Sequence, residues 1–270
     1  MENIRSNEEF RNKVIEELNS ARQDPKKYSE KIRSYIKYFK GRILILPNQI
    51  GLMTNEGEEA FKEASEFLLS LYPITKFKYS PGLTHVAHDY MKEIQKYDDI
   101  SKAKKVNFNS IVNKYGVYFG DEIVQFIDFG ASLPELITIN IIVNDGDKER
   151  EMRKNFFNNE YLDVGVSTGT HNTYNKCTVI LFAKKFVSKN DEDFEKAKKE
   201  IEEINEKKKK EIEKEEDYIN RDFDLPEGVD RIVKSEKIIK ENGIKRKLVK
   251  IINYNKDGSK DIKTIKEVVL

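Results

Sequence analysis

The sequence changes character abruptly at Lys189, and that break governs what the chain can fold into. From Asp191 to Asp217 nearly every residue is Glu or Lys, so the stretch has too little apolar surface for a core of its own. Phe194, Ala197, Ile201 and Ile204 give a narrow helical seam over its first half. The second half, with Lys207-Lys208-Lys209-Lys210, has almost none. The spacing predicts a solvated charged helix over 191–217 held by i,i+4 pairs. A short coiled coil, or a helix laid on a partner, is the sharper alternative. A globular core must therefore come from the residues before Lys189.

Beyond the charged run, Asp224-Leu225-Pro226-Glu227-Gly228 reads as a linker. Lys247 to Tyr254 and Asp261 to Val269 read as two strands, turned at Asn255-Lys256-Asp257-Gly258. A lone hairpin is marginal in water, so the tail is expected to dock on the main domain or on another protein. The expected organisation is a globular domain over 1–188, a charged helix and linker over 189–223, and a small β tail over 224–270.

Within the first part, helices and strands alternate. Phe10, Val14, Ile15 and Leu18 have helical spacing. Asp24-Pro25 ends that helix and caps another, which carries Tyr28, Ile32, Tyr35 and Ile36. Ala60, Phe61, Ala64, Phe67, Leu68 and Leu71 form a strong amphipathic stripe, and that stripe is core rather than a ligand box. After the Ser80-Pro81-Gly82 turn, Leu83, Val86, Ala87, Tyr90, Met91 and Ile94 mark a further helix. A short helix follows over Asn109–Lys114, stopped by Gly116. Glu122 to Phe129 alternates like a strand. Pro134 opens an apolar helix that Asn144-Asp145-Gly146 closes. Tyr161 to Ser167 and Lys176 to Val187 read as strands joined through Gly169–Asn175, the second apolar enough to be central. The order lacks a regular βαβ rhythm, which favours a layered α/β sandwich over a doubly wound parallel sheet.

The 49 basic and 48 acidic side chains nearly cancel, so no global field draws the chain to nucleic acid, and none is expected as a partner. Lys102, Lys104 and Lys105 form a small basic cluster, read as a solvated loop. The segment Met1–Glu9 is polar and acidic, unlike a secretory or transit leader, and no stretch is apolar enough for a membrane span. Cys177 is the only cysteine. Together these features predict a cytoplasmic, reducing environment. A glycine-rich phosphate loop before a helix is absent, since Gly165 and Gly169 sit in a strand and a turn.

Several segments resemble, in order, the CAP superfamily (the cysteine-rich secretory, antigen 5 and pathogenesis-related domain). Leu18-Asn19-Ser20-Ala21-Arg22-Gln23-Asp24-Pro25-Lys26-Lys27-Tyr28 is similar to the family's N-x-x-R-x-x-P-x-x-Y helix junction. Asn55-Glu56-Gly57-Glu58-Glu59-Ala60 and Ser80-Pro81-Gly82-Leu83 follow. Asn113-Lys114-Tyr115-Gly116 and Gly120-Asp121-Glu122-Ile123 stand where microbial and protist forms have R-Y-G and G-E-N-I. Asn144-Asp145-Gly146 through Arg150-Glu151-Met152-Arg153-Lys154-Asn155-Phe156 tracks D-D-G-x-x-x-R-G-H-R-x-N-I-F, and Val164-Gly165-Val166 and Gly169-Thr170-His171 complete the match. The resemblance implies a three-layer α/β/α sandwich with a central antiparallel sheet. It also implies a surface cleft where two His and two Glu can hold a divalent metal such as zinc in many members.

The cleft positions depart from that pattern. The second family His matches Met152, a thioether that is a poor zinc ligand. The first belongs near Ile100, and no histidine occurs from Asp89 to Thr170. The first Glu matches Asp121, the neighbouring Asn matches Glu122, and Glu135 matches the second carboxylate. The degenerate cleft positions are thus Ile100, Asp121, Glu122, Glu135 and Met152, and the expectation is no catalytic site, no metal and no cofactor. Elsewhere, His85 and His88 share a helical face, with Asp89 expected to point away by one 100° step. They read as surface histidines. His171 reads as a turn residue and Cys177 as a small core residue, because neither thiolate activation nor an oxyanion hole is evident.

The expected function is that of a non-catalytic interaction or scaffold protein on a degenerate CAP domain. Its protein partners are expected to dock through the charged helix 191–217 and the tail 224–270, in a stable intracellular assembly such as a cilium or the cytoskeleton. The alternative is an intracellular CAP domain that binds a lipid or another small ligand.

Overall fold

The computed structural model describes residues 2–47, 51–97, 106–220, 229–241 and 244–268. Side chains are described except at 2–6, 212–220, 229–237, 239–241, 244–245, 253–255 and 267–268. The protein is mixed α/β and divides into two compact units, Met1–Phe194 and Glu195–Leu270. The expected linker over 224–228, Ile100 and the Lys102–Lys105 cluster lie outside the described residues.

The first unit opens with α1 (Glu2–Gln23) and α2 (Pro25–Ile36). Asp24 caps α2 by accepting the Lys27 amide, with Pro25 in the first turn. Three two-residue strands, β1 (Phe39–Lys40), β2 (Ile43–Leu44) and β3 (Leu52–Met53), form a small sheet in that order. Next come α3 (Glu58–Leu69), β4 (Lys78–Tyr79) and α4 (Pro81–Ile94), the last capped by Ser80 Oγ, which accepts the Leu83 amide. Then α5 (Phe108–Tyr115), β5 (Gly116–Phe119) and β6 (Val124–Phe129) lead to α6 (Pro134–Val143). Asn144 ends α6 in the left-handed conformation at φ 50°, which asparagine adopts more easily than most residues. The unit continues through α7 (Glu151–Phe156), β7 (Asp163–His171), β8 (Asn175–Ala183) and β9 (Lys185–Ser188).

The main sheet runs β4-β7-β8-β6. Its two long pairings are antiparallel, with Val166 opposite Ile180 and Phe126 opposite Ile180 on the other side. The expected all-antiparallel sheet needs one correction, since β4 joins β7 in parallel through Lys78–Asp163 and Tyr79–Val164. Parallel pairing follows from the long crossover that separates these strands in sequence. A second correction concerns the strand expected over Lys176–Val187. It breaks at Lys184, and β9 leaves the main sheet to pair with β5.

Strand β8 shows how the core is organised. Ile180 and Phe182 join an apolar cluster with α1, α2, α3 and α6, while Cys177, Val179, Leu181 and Ala183 join another with α4 and α5. Alternate residues of a strand face opposite sides, so one apolar run feeds both clusters. Each fully buried Ile or Phe contributes roughly 1.5–3 kcal/mol relative to exposure.

The second unit holds α8 (Phe194–Asn220) and three strands, β10 (Val229–Glu241), β11 (Ile244–Asn255) and β12 (Lys260–Val268). Helix α8 starts at Phe194 rather than at 191, because Asp191 instead caps the preceding turn by accepting the Ser188 amide. The seam is narrow, as expected: Ala197 is buried, Phe194 and Ile201 are half-buried and Ile204 is exposed. The expected two-stranded hairpin is a three-stranded antiparallel sheet, ordered β10-β11-β12. Strand β10 escaped the sequence reading because charged residues interrupt its Ile and Val positions, which leaves no clean alternation.

Candidate functional site

The segments that carry the family resemblance are tied to one another by hydrogen bonds. Arg22 is fully buried and donates to the carbonyls of Thr75 at 2.7 Å, Phe156 at 2.8 Å and Tyr161 at 3.2 Å. Its guanidinium lies 3.9 Å from the Phe77 ring centroid, and burial holds its pKa down at about 10. Asn19 exchanges two bonds with the Phe77 backbone. Asp145 accepts the amides of Asn55 at 2.6 Å and Glu56 at 2.9 Å. Arg150 in turn pairs with Glu56, and Arg153, which is buried, pairs with Glu63 and donates to the Ile142 and Val143 carbonyls. These polar side chains are occupied in closing the fold.

The described cleft positions lie in three stretches of the chain: Asp121 and Glu122 precede β6, Glu135 lies in the first turn of α6 and Met152 lies in α7. The charges of Glu122 and Asp121 reach Tyr161, whose hydroxyl is pushed up to about 12 by burial first and by these carboxylates second. Glu135 accepts the Tyr35 hydroxyl and lies 3.9 Å from Lys31 Nζ, which also bonds Glu17 at 2.8 Å. Met152 packs half-buried against the larger apolar cluster. Among the described residues, no three His, Cys, Asp or Glu side chains form a group able to hold a metal ion.

The histidines divide into two settings. His85 and His88 are exposed on α4. Asp89 does not point away from them, as the helical step alone suggested. Its Oδ1 lies 3.7 Å from His88 Nδ1, and its Oδ2 accepts the Tyr115 hydroxyl at 2.8 Å with Lys114 Nζ at 3.6 Å. Helix α5 packs beside α4 and supplies the contacts that draw the carboxylate across. Burial opposes its ionisation, but Tyr115 and Lys114 outweigh it and leave its pKa lowered. His171 ends β7 rather than sitting in the turn, and it is buried. Its Nδ1 accepts the Thr173 and Tyr174 amides. Cys177 is buried, and burial with the nearby Asp128 charge pushes its thiol up to about 12.

A cavity of about 440 Å³ opens at the start of α4, and the sequence reading did not anticipate it. Lys78 and Tyr79 of β4, His85 of α4, Lys114 and Tyr115 of α5, Asp163 of β7 and residues 186 and 188–191 surround it. Gly82 also lines it. A Cβ there would overlap Ser188 Oγ and come within 2.8 Å of Phe186 Cε1. The His85 and Tyr115 rings stack, 5.5 Å apart and 27° from parallel. The Ser80-Pro81-Gly82 turn, His85 and the Asn113-Lys114-Tyr115-Gly116 segment were visible in the sequence, but their meeting with β4, β7 and the end of β9 was not. The chain matches no family model, no curated protein and no solved structure.

Proposed function

We propose that the first unit is a CAP-type α/β/α sandwich without catalytic chemistry, and that the protein serves as an interaction or scaffold component of a stable intracellular assembly. The observation that carries this reading is the use of the family-like side chains. Arg22, Glu56, Asp145, Arg150 and Arg153 all hold segments together, and the cleft positions fall in three stretches, Asp121 and Glu122 before β6, Glu135 in α6 and Met152 in α7. Two apolar clusters, one fed by each face of β8, support the layered architecture. The resemblance of Gly120-Asp121-Glu122-Ile123 and Asn144 through Phe156 to the family supports the assignment itself.

Partner binding is assigned to the second unit. Its sheet presents Ile238 at 65% and Ile262 at 59% exposure, beside the charged helix α8 in the sequence. Exposed Ile side chains on a sheet built from long strands suit docking onto another protein. A ciliary or cytoskeletal structure is the proposed setting. No described helix is long and apolar enough to cross a membrane.

The test is extraction of the tagged endogenous protein through detergent and rising salt, beside a version lacking residues 195–270. The full chain is expected to stay with an insoluble structure and the truncated chain to be released. Release of the full chain as a free monomer by mild lysis would refute the scaffold role.

A further inference from the structure

We propose that the cavity at the start of α4 binds a small phosphate monoester. This goes beyond the scaffold reading, which rests on other residues.

Each carboxylate of the lining accepts one backbone amide. Asp163 Oδ2 takes the Phe186 amide at 2.7 Å, Asp191 Oδ2 takes the Ser188 amide at 2.7 Å, and Ser80 Oγ takes the Leu83 amide at 3.2 Å. Lys78 and Lys189 make no ion pair within 4 Å among the described residues, although the Lys78 charge favours the ionised form of Asp163, and Lys114 has only the 3.6 Å approach to Asp89. The first-turn amide of Gly82 has no acceptor in its own helix. Three ammonium groups, from β4, α5 and the turn after β9, therefore border one concavity against the two carboxylates of Asp163 and Asp191, an excess of positive charge. A ligand that pairs with this excess and with the open first-turn amide is rich in acceptors and negatively charged, which describes a phosphate.

The volume and the walls extend the assignment. About 440 Å³ falls within the range of sites for small organic molecules. The stacked His85–Tyr115 pair offers an aromatic wall to the organic part of the ligand. The glycine at position 82 lets the helix start approach β9. The site is thus assembled by packing, without a glycine-rich loop.

The phosphate could belong to a soluble metabolite or to a lipid headgroup, and titration of the full chain separates them. The probes are inorganic phosphate, adenosine monophosphate, and phosphatidylcholine vesicles with or without phosphatidylinositol phosphate. The variant Lys78→Glu/Lys189→Glu changes exposed side chains, so its thermal midpoint should match the parent. Lys198→Glu/Lys199→Glu makes the same charge change on α8, at residues that do not line the cavity. The expected result is saturable binding of adenosine monophosphate, weakened at least about tenfold by the cavity variant and unaltered by the α8 variant. Binding only to phosphoinositide vesicles, with the same dependence on Lys78 and Lys189, supports the site and assigns the phosphate to lipid. Absence of binding to every probe overturns the proposal. So does binding that both variants weaken equally, because that is general charge attraction. Neither failure touches the extraction result, so the scaffold reading stands or falls separately.

Discussion

Arg150 holds Glu56 through two parallel hydrogen bonds, Nη1 to Oε1 at 2.6 Å and Nη2 to Oε2 at 2.7 Å, across 94 positions of sequence. The Gly146 amide adds a third at 2.7 Å. The clamp joins the start of α3 to the turn after α6, and it leaves a titration signature. The Arg150 bond, partly opposed by burial, holds the Glu56 carboxyl at about 2 against an ordinary value of 4.5. A carboxyl depressed in the folded state stabilises fully above its unfolded pKa and loses that contribution as pH falls through the folded one. Stability from Glu56 is therefore complete at neutral pH and declines from about pH 4.5 toward 2. Its side chain is 34% exposed, so solvent screening limits the effect to about 1 kcal/mol. Glu56→Gln should lower stability by that amount at neutral pH and flatten the acid limb, as read by urea unfolding across pH.

Arg22→Met should cost about 3 kcal/mol or more, because it leaves the Thr75, Phe156 and Tyr161 carbonyls without their donor inside the fold. Arg22→Lys should recover only part of the loss, since one ammonium cannot reproduce the planar fork. Thermal unfolding of the two variants tests the order. Equal stability of Arg22→Met and the parent would contradict the clamp.

Gly165 lies where α4 crosses β7. A Cβ there would sit 2.6 Å from the Leu83 carbonyl oxygen and 2.7 Å from the Thr84 nitrogen. Both are backbone atoms and cannot rotate aside. Gly165→Ala should destabilise by about 3 kcal/mol, the upper end of ordinary overpacking, and a denaturant midpoint close to the parent's would argue against so tight a crossing.

Cys177 is 0% exposed, with its thiol pushed up to about 12. The thiolate is the reactive form, so a maleimide or disulfide reagent at mildly alkaline pH should leave the native protein unlabelled. One equivalent should react after unfolding in guanidinium. Rapid labelling of the native chain would place the thiol at the surface instead.

Much of the fold was legible where a local rule sufficed. Asp24-Pro25 and Ser80-Pro81 start their helices by side-chain capping, which depends on neighbouring residues alone. The apolar run Thr178–Ala183 announced a strand buried on both faces, and β8 is that strand. Strand β10 was not legible, because its pairing with β11 outweighs a poorly alternating sequence. The break at Lys184 was missed for a similar reason. Only the pairing of β9 with β5 separates it from β8. The candidate site was the least legible part. Lys78, His85, Lys114, Asp163 and Ser188 have no motif in common, and Asp89 was assigned the wrong direction because α5 lies outside the helical step that was used to place it.

The sequence by itself determined where the core can form, where the main helices begin and where the charged segment starts. Those properties follow from hydrophobic spacing, capping chemistry and composition, which act over a few residues. Tertiary structure alone decided that Arg22, Glu56 and Arg150 are clamps, that β9 leaves the main sheet for β5, and that the start of α4 opens onto a cavity bordered by Lys78, Lys114 and Lys189. Those properties depend on which distant segments meet. That meeting is set by the packing of both faces of one sheet, and no local pattern encodes it.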